Sequence, residues 1–98
     1  MIRPVSFHEL AETELNEAAH YYESRVEGLG LAFLAEVERA IKQIQEHPEA
    51  APGILRAVRR KLLRRFPYSL MYSVSGDTIH ILAVANQKRR PFYWGGRM

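Results

Sequence analysis

Tyr68-Ser69-Leu70-Met71-Tyr72-Ser73-Val74, then Ser75-Gly76-Asp77, then Thr78-Ile79-His80-Ile81-Leu82-Ala83-Val84-Ala85 decides the fold. The first segment alternates, with Leu70, Tyr72 and Val74 on one face and Ser69, Met71 and Ser73 on the other, the period of a strand. The glycine-containing triplet is a hairpin turn. The last segment is apolar at nearly every position, which predicts a central strand covered on both faces.

Cationic segments flank this hairpin. On its N-terminal side runs Arg56-Ala57-Val58-Arg59-Arg60-Lys61-Leu62-Leu63-Arg64-Arg65. Val58 to Phe66 reads as a third strand, and Phe66-Pro67 as the turn that ends it. On the other side lies Gln87-Lys88-Arg89-Arg90-Pro91-Phe92-Tyr93-Trp94-Gly95-Gly96-Arg97, basic and aromatic together. Positive charge beside rings suits a polyanion or an acidic protein, and Trp, Tyr and Arg are the residue types of binding hot spots. The rings must either pack back on the core or form a contact surface.

The first half of the chain is helical and acidic. Ile2-Arg3-Pro4-Val5 is a short strand whose proline suits a strand start. Ser6 and Glu9 have capping-box spacing. Ala11, Leu15, Ala18, Tyr22 and Val26 then form one apolar stripe, predicting a helix over His8–Arg25. Gly28 and Gly30 break it, each able to adopt positive φ. A second helix is expected over Leu31–His47, with Leu34, Val37, Ile41 and Ile44 inward and Glu36, Glu38, Lys42 and Glu46 in solvent. Pro48 ends it, and Pro48 to Gly53 is a loop. The short link makes the helices an antiparallel pair. The order β-α-α-β-β-β predicts an α+β fold: a short N-terminal strand and a two-helix hairpin packed on an antiparallel sheet.

With 98 residues the chain is one domain, 1–98. Its 47% hydrophobic content is that of a folded protein rather than a disordered one. Lacking cysteine, it has no disulfide, thiolate metal site or cysteine nucleophile. The net charge of +3 understates the polarity, because after Glu49 the only acid is Asp77 while most bases follow it. Such asymmetry points to a nucleic-acid or acidic-partner surface. There is no signal peptide and no apolar run of membrane length, so neither a membrane nor an export route is expected.

The histidines carry no recognisable chemistry. His8 and His20 fall on the first helix, His47 is a favourable charge at a helix end, and His80 sits in the apolar strand as a structural residue. None is spaced for a metal, and neither a metal nor a cofactor is expected.

Arg65-Phe66-Pro67-Tyr68-Ser69-Leu70-Met71-Tyr72, followed by Ala83-Val84-Ala85-Asn86-Gln87-Lys88-Arg89-Arg90-Pro91 and then Tyr93-Trp94 and Arg97, resembles the RelE/ParE superfamily of bacterial toxins over nearly the whole chain. The closer likeness is to the ParE branch, the plasmid-stabilisation proteins. The resemblance implies a cytoplasmic toxin of a type II toxin–antitoxin pair, bound by a cognate antitoxin in a hetero-oligomer. ParE-like members poison DNA gyrase; RelE-like members cleave messenger RNA in the ribosome. A decayed toxin that retains only antitoxin binding is a third reading. Ser69 stands where RelE-like nucleases place a catalytic arginine, which favours gyrase. Asn86 stands where many ParE-like sequences carry histidine. Arg89 matches the family's arginine after the last strand.

A nuclease would need cations for the phosphorane and groups that move protons. The candidates are Arg89, Lys61, Arg65 and Tyr93, with Lys61 and Tyr93 able to move protons only if the site shifts their pKa from near 10 towards neutrality. The candidate partner or nucleic-acid surface is Arg59, Arg60, Arg64, Arg65, Arg89, Arg90, Tyr93, Trp94 and Arg97. Tyr68 and Tyr72 read as core or rim residues of the hairpin.

Overall fold

The computed structural model describes residues 2–97. Strand β1 (Val5–Phe7) leads into helix α1 (Glu9–Arg25) and helix α2 (Leu29–Glu46). Strands β2 (Gly53–Leu55), β3 (Val58–Leu62), β4 (Tyr68–Ser75) and β5 (Thr78–Asn86) follow, and a single 3-10 turn spans Gly95–Arg97. The sheet order is β1-β5-β4-β3-β2. The fold is α+β as expected, with two differences in the sheet.

First, the sheet is mixed. β1 runs parallel to β5, pairing Val5 with Ile79, Ser6 with His80 and Phe7 with Ile81. Pro4 suits the strand start because it offers its carbonyl, to the Ile79 N–H at 2.9 Å, where no donor is needed. Ser6 is therefore a strand residue and not the cap of α1. That cap is His8, whose Nδ1 accepts from the Leu10 N–H at 3.1 Å. Second, a strand not expected from the sequence, β2, follows the Pro48–Gly53 loop and makes a short hairpin with β3 through Arg56 in the left-handed region.

The helix pair closes tightly because α1 presents small residues. Ala11 and Ala18 are its buried positions. Gly30 lies inside α2, and a Cβ there would meet the Ala19 carbonyl oxygen at 2.5 Å, so its need is for close approach. Of these two glycines only Gly28 uses positive φ, at 86°. The Glu23 carboxylate accepts from the N–H groups of Gly28 (2.8 Å) and Gly30 (2.9 Å), capping α2. Those backbone bonds hold the Glu23 carboxyl below its ordinary range.

Against the helices the sheet buries Leu70, Tyr72, Ile79, Ile81 and Val84, with Phe33, Val37 and Ile44 facing them from α2. The Phe66-Pro67-Tyr68 motif belongs to this core. Phe66 meets the rings of Tyr22 (4.8 Å) and Phe33 (5.2 Å) edge-on, and Tyr68 meets Phe33 at 5.2 Å. The Tyr72 hydroxyl donates to the Pro48 carbonyl at 2.6 Å, tying β4 to the end of α2.

β5 is buried on both faces, as its composition predicts. The register slips between Met71–Ala83 and Tyr72–Ile81, leaving Leu82 as a bulge. Ile81 and Val84 therefore both face the helices, while Leu82, Ala83 and Ala85 join a second core with Val58, Met71 and Trp94 on the opposite face.

β3 ends at Leu62 and not at Phe66. Glu36, expected in solvent, is 4% exposed. Its Oε2 accepts from the N–H groups of Arg64 and Arg65, the latter at 2.9 Å. Donors spent on a carboxylate cannot continue a ladder, so the chain turns here, and Leu63 N–H returns to the Tyr68 carbonyl at 3.0 Å.

Candidate functional site

Strand alternation distributes the basic run over two faces. Arg60 and Leu62 point away from the helices and line a groove of about 510 Å³. Lys61 points the other way, beside Ile44, His47 and Tyr72. Ser69, Met71, Ala85 and Trp94 form the floor of the groove, and Arg89, Arg90 and Phe92 form its far wall.

The tail holds this wall in place by packing back. Trp94 is 2% exposed, at the centre of the second core. Arg97 forks onto Glu14 of α1 at 2.9 and 3.0 Å, and the Tyr93 hydroxyl donates to the same carboxylate at 2.8 Å. Glu14 also accepts from the Val84 N–H at 3.0 Å, so one side chain joins α1, β5 and the tail. Burial, then the bond to Glu14, pushes the Tyr93 phenol well above its ordinary pKa. Its own hydrogen bonds to Glu14 raise the pKa of Arg97.

Phe92 is the exposed part of the tail. It has φ 62°, a rare conformation for a bulky residue, and remains 52% exposed with its ring 5.9 Å from that of Trp94. Leu62 on the facing wall is 54% exposed. Strained backbone that presents an aromatic ring is a reason to suspect function.

Arg89 lies where the groove meets a second one of about 640 Å³, between α1 and the ends of β4 and β5. Its guanidinium carbon is 4.0 Å from the centroid of the Tyr93 ring. Asn86 shapes the turn before it: its Oδ1 accepts from the Lys88 N–H at 2.9 Å and its carbonyl from the Arg89 N–H at 3.0 Å. An asparagine is suited to this turn.

Of the nine candidate surface residues, the structure gathers Arg60, Arg89 and Arg90 at the groove, with Tyr93 and Trp94 beneath them. Arg59 is spent on the carbonyls of Glu49 (3.1 Å) and Ala51 (2.7 Å), bracing the loop before β2. Arg64 and Arg65 lie on the β3–β4 turn, where Arg65 sits over Phe66 at 5.6 Å. Arg97 is ion-paired. Of the four candidate catalytic residues only Arg89 and Tyr93 meet, at 4.0 Å; Lys61 is on the helix face and Arg65 on the turn. Leu62 and Glu14 are absent from the site residues read from the sequence, and Phe92 enters that reading only as one of three tail rings that either pack on the core or form a contact surface. The alternation of β3 was the available signal for Leu62; nothing local marked Glu14.

The groove is thus basic and partly apolar, walled by a sheet and a pinned tail. Residues 5–91 match the family described as ParE toxin of type II toxin-antitoxin system, parDE. The chain belongs to that family and is a type II toxin of the ParE type. Its fold is similar to that of a solved chain titled "Chromosomal ParDE TA system from P. aeruginosa", with TM-score 0.72 and 21% identity over 87% of this chain and 96% of that one. No curated protein sequence matches. Among the described residues no helix is long and apolar enough to cross a membrane.

Proposed function

We propose that this toxin acts by binding rather than by bond cleavage, that its target is DNA gyrase in the cytoplasm, and that a cognate antitoxin neutralises it. The observation that carries this reading is the lining of the sheet groove. It offers cations at Arg60, Arg89 and Arg90 and apolar contacts at Leu62 and Phe92, but no histidine or carboxylate. Guanidinium groups can hold an anion yet cannot act as a base at neutral pH. The one phenol at the wall has its pKa shifted away from neutrality. Ser69, at the floor, supplies no charge where a RelE-like nuclease would place an arginine.

An antitoxin that covers this groove needs acidic residues for the three arginines and aliphatic ones for Leu62 and Phe92. Such a segment would silence the toxin by occupying the surface that meets the target.

The test is a supercoiling assay with purified gyrase and relaxed plasmid. The wild-type toxin is expected to block supercoiling, Arg89→Ala to block it more weakly, and added antitoxin to restore it. Unimpaired supercoiling at a large excess of folded toxin, with messenger RNA cleaved in translating extract, would overturn the proposal.

A further inference from the structure

We propose that Tyr93 is a positioning residue for Arg89: its ring, clamped by Glu14 and Arg97, fixes the Arg89 guanidinium at the mouth shared by the two grooves before any partner arrives. The functional half of this inference rests on the gyrase-binding reading; the positional half does not.

Arg89 is exposed, and among the described residues its guanidinium has no carboxylate partner. An exposed arginine without a partner normally samples many rotamers. Here both ends of the side chain are restrained. The Asn86 turn fixes its backbone through the 2.9 and 3.0 Å bonds. Its head stacks at 4.0 Å on Tyr93, a contact that leaves the guanidinium edge free to donate.

The ring is itself held. Its hydroxyl donates to Glu14 at 2.8 Å, and the Arg97 guanidinium lies 5.1 Å from its centroid while forking onto the same carboxylate. Glu14 is anchored in turn by the Val84 N–H. The order of support therefore runs from α1 through Glu14 to Tyr93, and from Tyr93 to Arg89. Its output is one unneutralised cation bordering both grooves. Ordering a long side chain in advance spares that cost on binding, which corresponds to roughly two- to tenfold in affinity.

Two measurements test this. In the NMR spectrum of the free toxin, the Arg89 side-chain protons are expected to be shifted upfield by the Tyr93 ring current. Tyr93→Phe, which keeps the ring but loses the Glu14 clamp, is expected to reduce that shift, and Tyr93→Leu to abolish it. Unshifted Arg89 protons in the folded wild-type chain would overturn the proposal, whatever the toxin's target and whether or not Tyr93→Leu folds.

The second measurement is a double-mutant cycle on gyrase inhibition. Tyr93→Leu is expected to weaken inhibition roughly two- to tenfold, Arg89→Ala by more, and the double variant by no more than Arg89→Ala alone. Losses that multiply would show that Tyr93 acts independently of Arg89 and would overturn the positioning role. A wild-type toxin that does not inhibit gyrase would refute the proposed target, and the NMR result would then decide the inference.

Discussion

Replacing Trp94 with alanine should remove a large share of this protein's stability. Trp94 is 2% exposed and packs among Val58, Met71, Leu82, Ala83 and Ala85. An aromatic side chain buries about 150–250 Å², which at about 25 cal/mol per Å² is about 4–6 kcal/mol and an upper bound. Measured truncations of buried aromatics cost about 3–5 kcal/mol. A chain of 98 residues is held by only about 5–15 kcal/mol in total. The expected fall in Tm is about 12–40 °C, taking about 4–8 °C per kcal/mol for a domain of this size. Trp94 is the chain's single tryptophan, so urea unfolding must be followed by far-UV circular dichroism and not by fluorescence. A loss of stability under about 1 kcal/mol would refute the second core. The same reasoning bears on tail truncation. Removing residues from Tyr93 onward takes Trp94 and the Arg97–Glu14 pair with it, so lost toxicity would report unfolding. Phe92→Ala is the clean probe of the tail as a contact surface, because an exposed ring should cost under about 1 kcal/mol of stability.

Gly30→Ala should destabilise by about 1–3 kcal/mol, although alanine ordinarily improves a helix by about 1 kcal/mol over glycine. The cause is the Cβ placed 2.5 Å from the Ala19 carbonyl, and a raised Tm would contradict it. Glu36→Ala strips the acceptor from two N–H groups on the β3–β4 turn and should cost about 1–3 kcal/mol. Amide exchange at Arg64 and Arg65 should accelerate; unchanged protection there would count against the Glu36 brace. The Tyr93 phenol has its folded pKa raised above the unfolded value, by burial first and then by Glu14. Its contribution to stability is therefore complete below about pH 10 and lost as pH climbs beyond it. Tyr93→Phe should flatten that alkaline loss, and an equally steep loss in the variant would exclude Tyr93 as its source.

What could be read from the sequence was whatever leaves a local period. The helix stripes, the Ser75–Asp77 turn and the largely apolar run of β5 all lie within short windows, and each gives its element. The parallel partner of β5 does not: Ser6 meets His80 across 74 residues, and its spacing to Glu9 imitated a cap. The Leu82 bulge leaves no trace in a stretch, Ile81 to Ala85, that is apolar at every position. Glu36 and Glu14 look like every other helix-surface glutamate, because their partners are backbone and side-chain donors far along the chain. For the site, composition located the cations but not their directions. Alternation along β3 separates Arg60 from Arg59 and Lys61, and only the tail's return to the sheet distinguishes buried Trp94 from exposed Phe92.

A ParE-family toxin whose groove lacks a base is proposed to act on gyrase. The decisive measurement is pulse labelling of DNA and protein synthesis, minutes after inducing the wild-type toxin without antitoxin. DNA synthesis is expected to stop while translation continues. Translation stopping first would contradict it, and would mean that the arginines of the groove serve RNA cleavage instead.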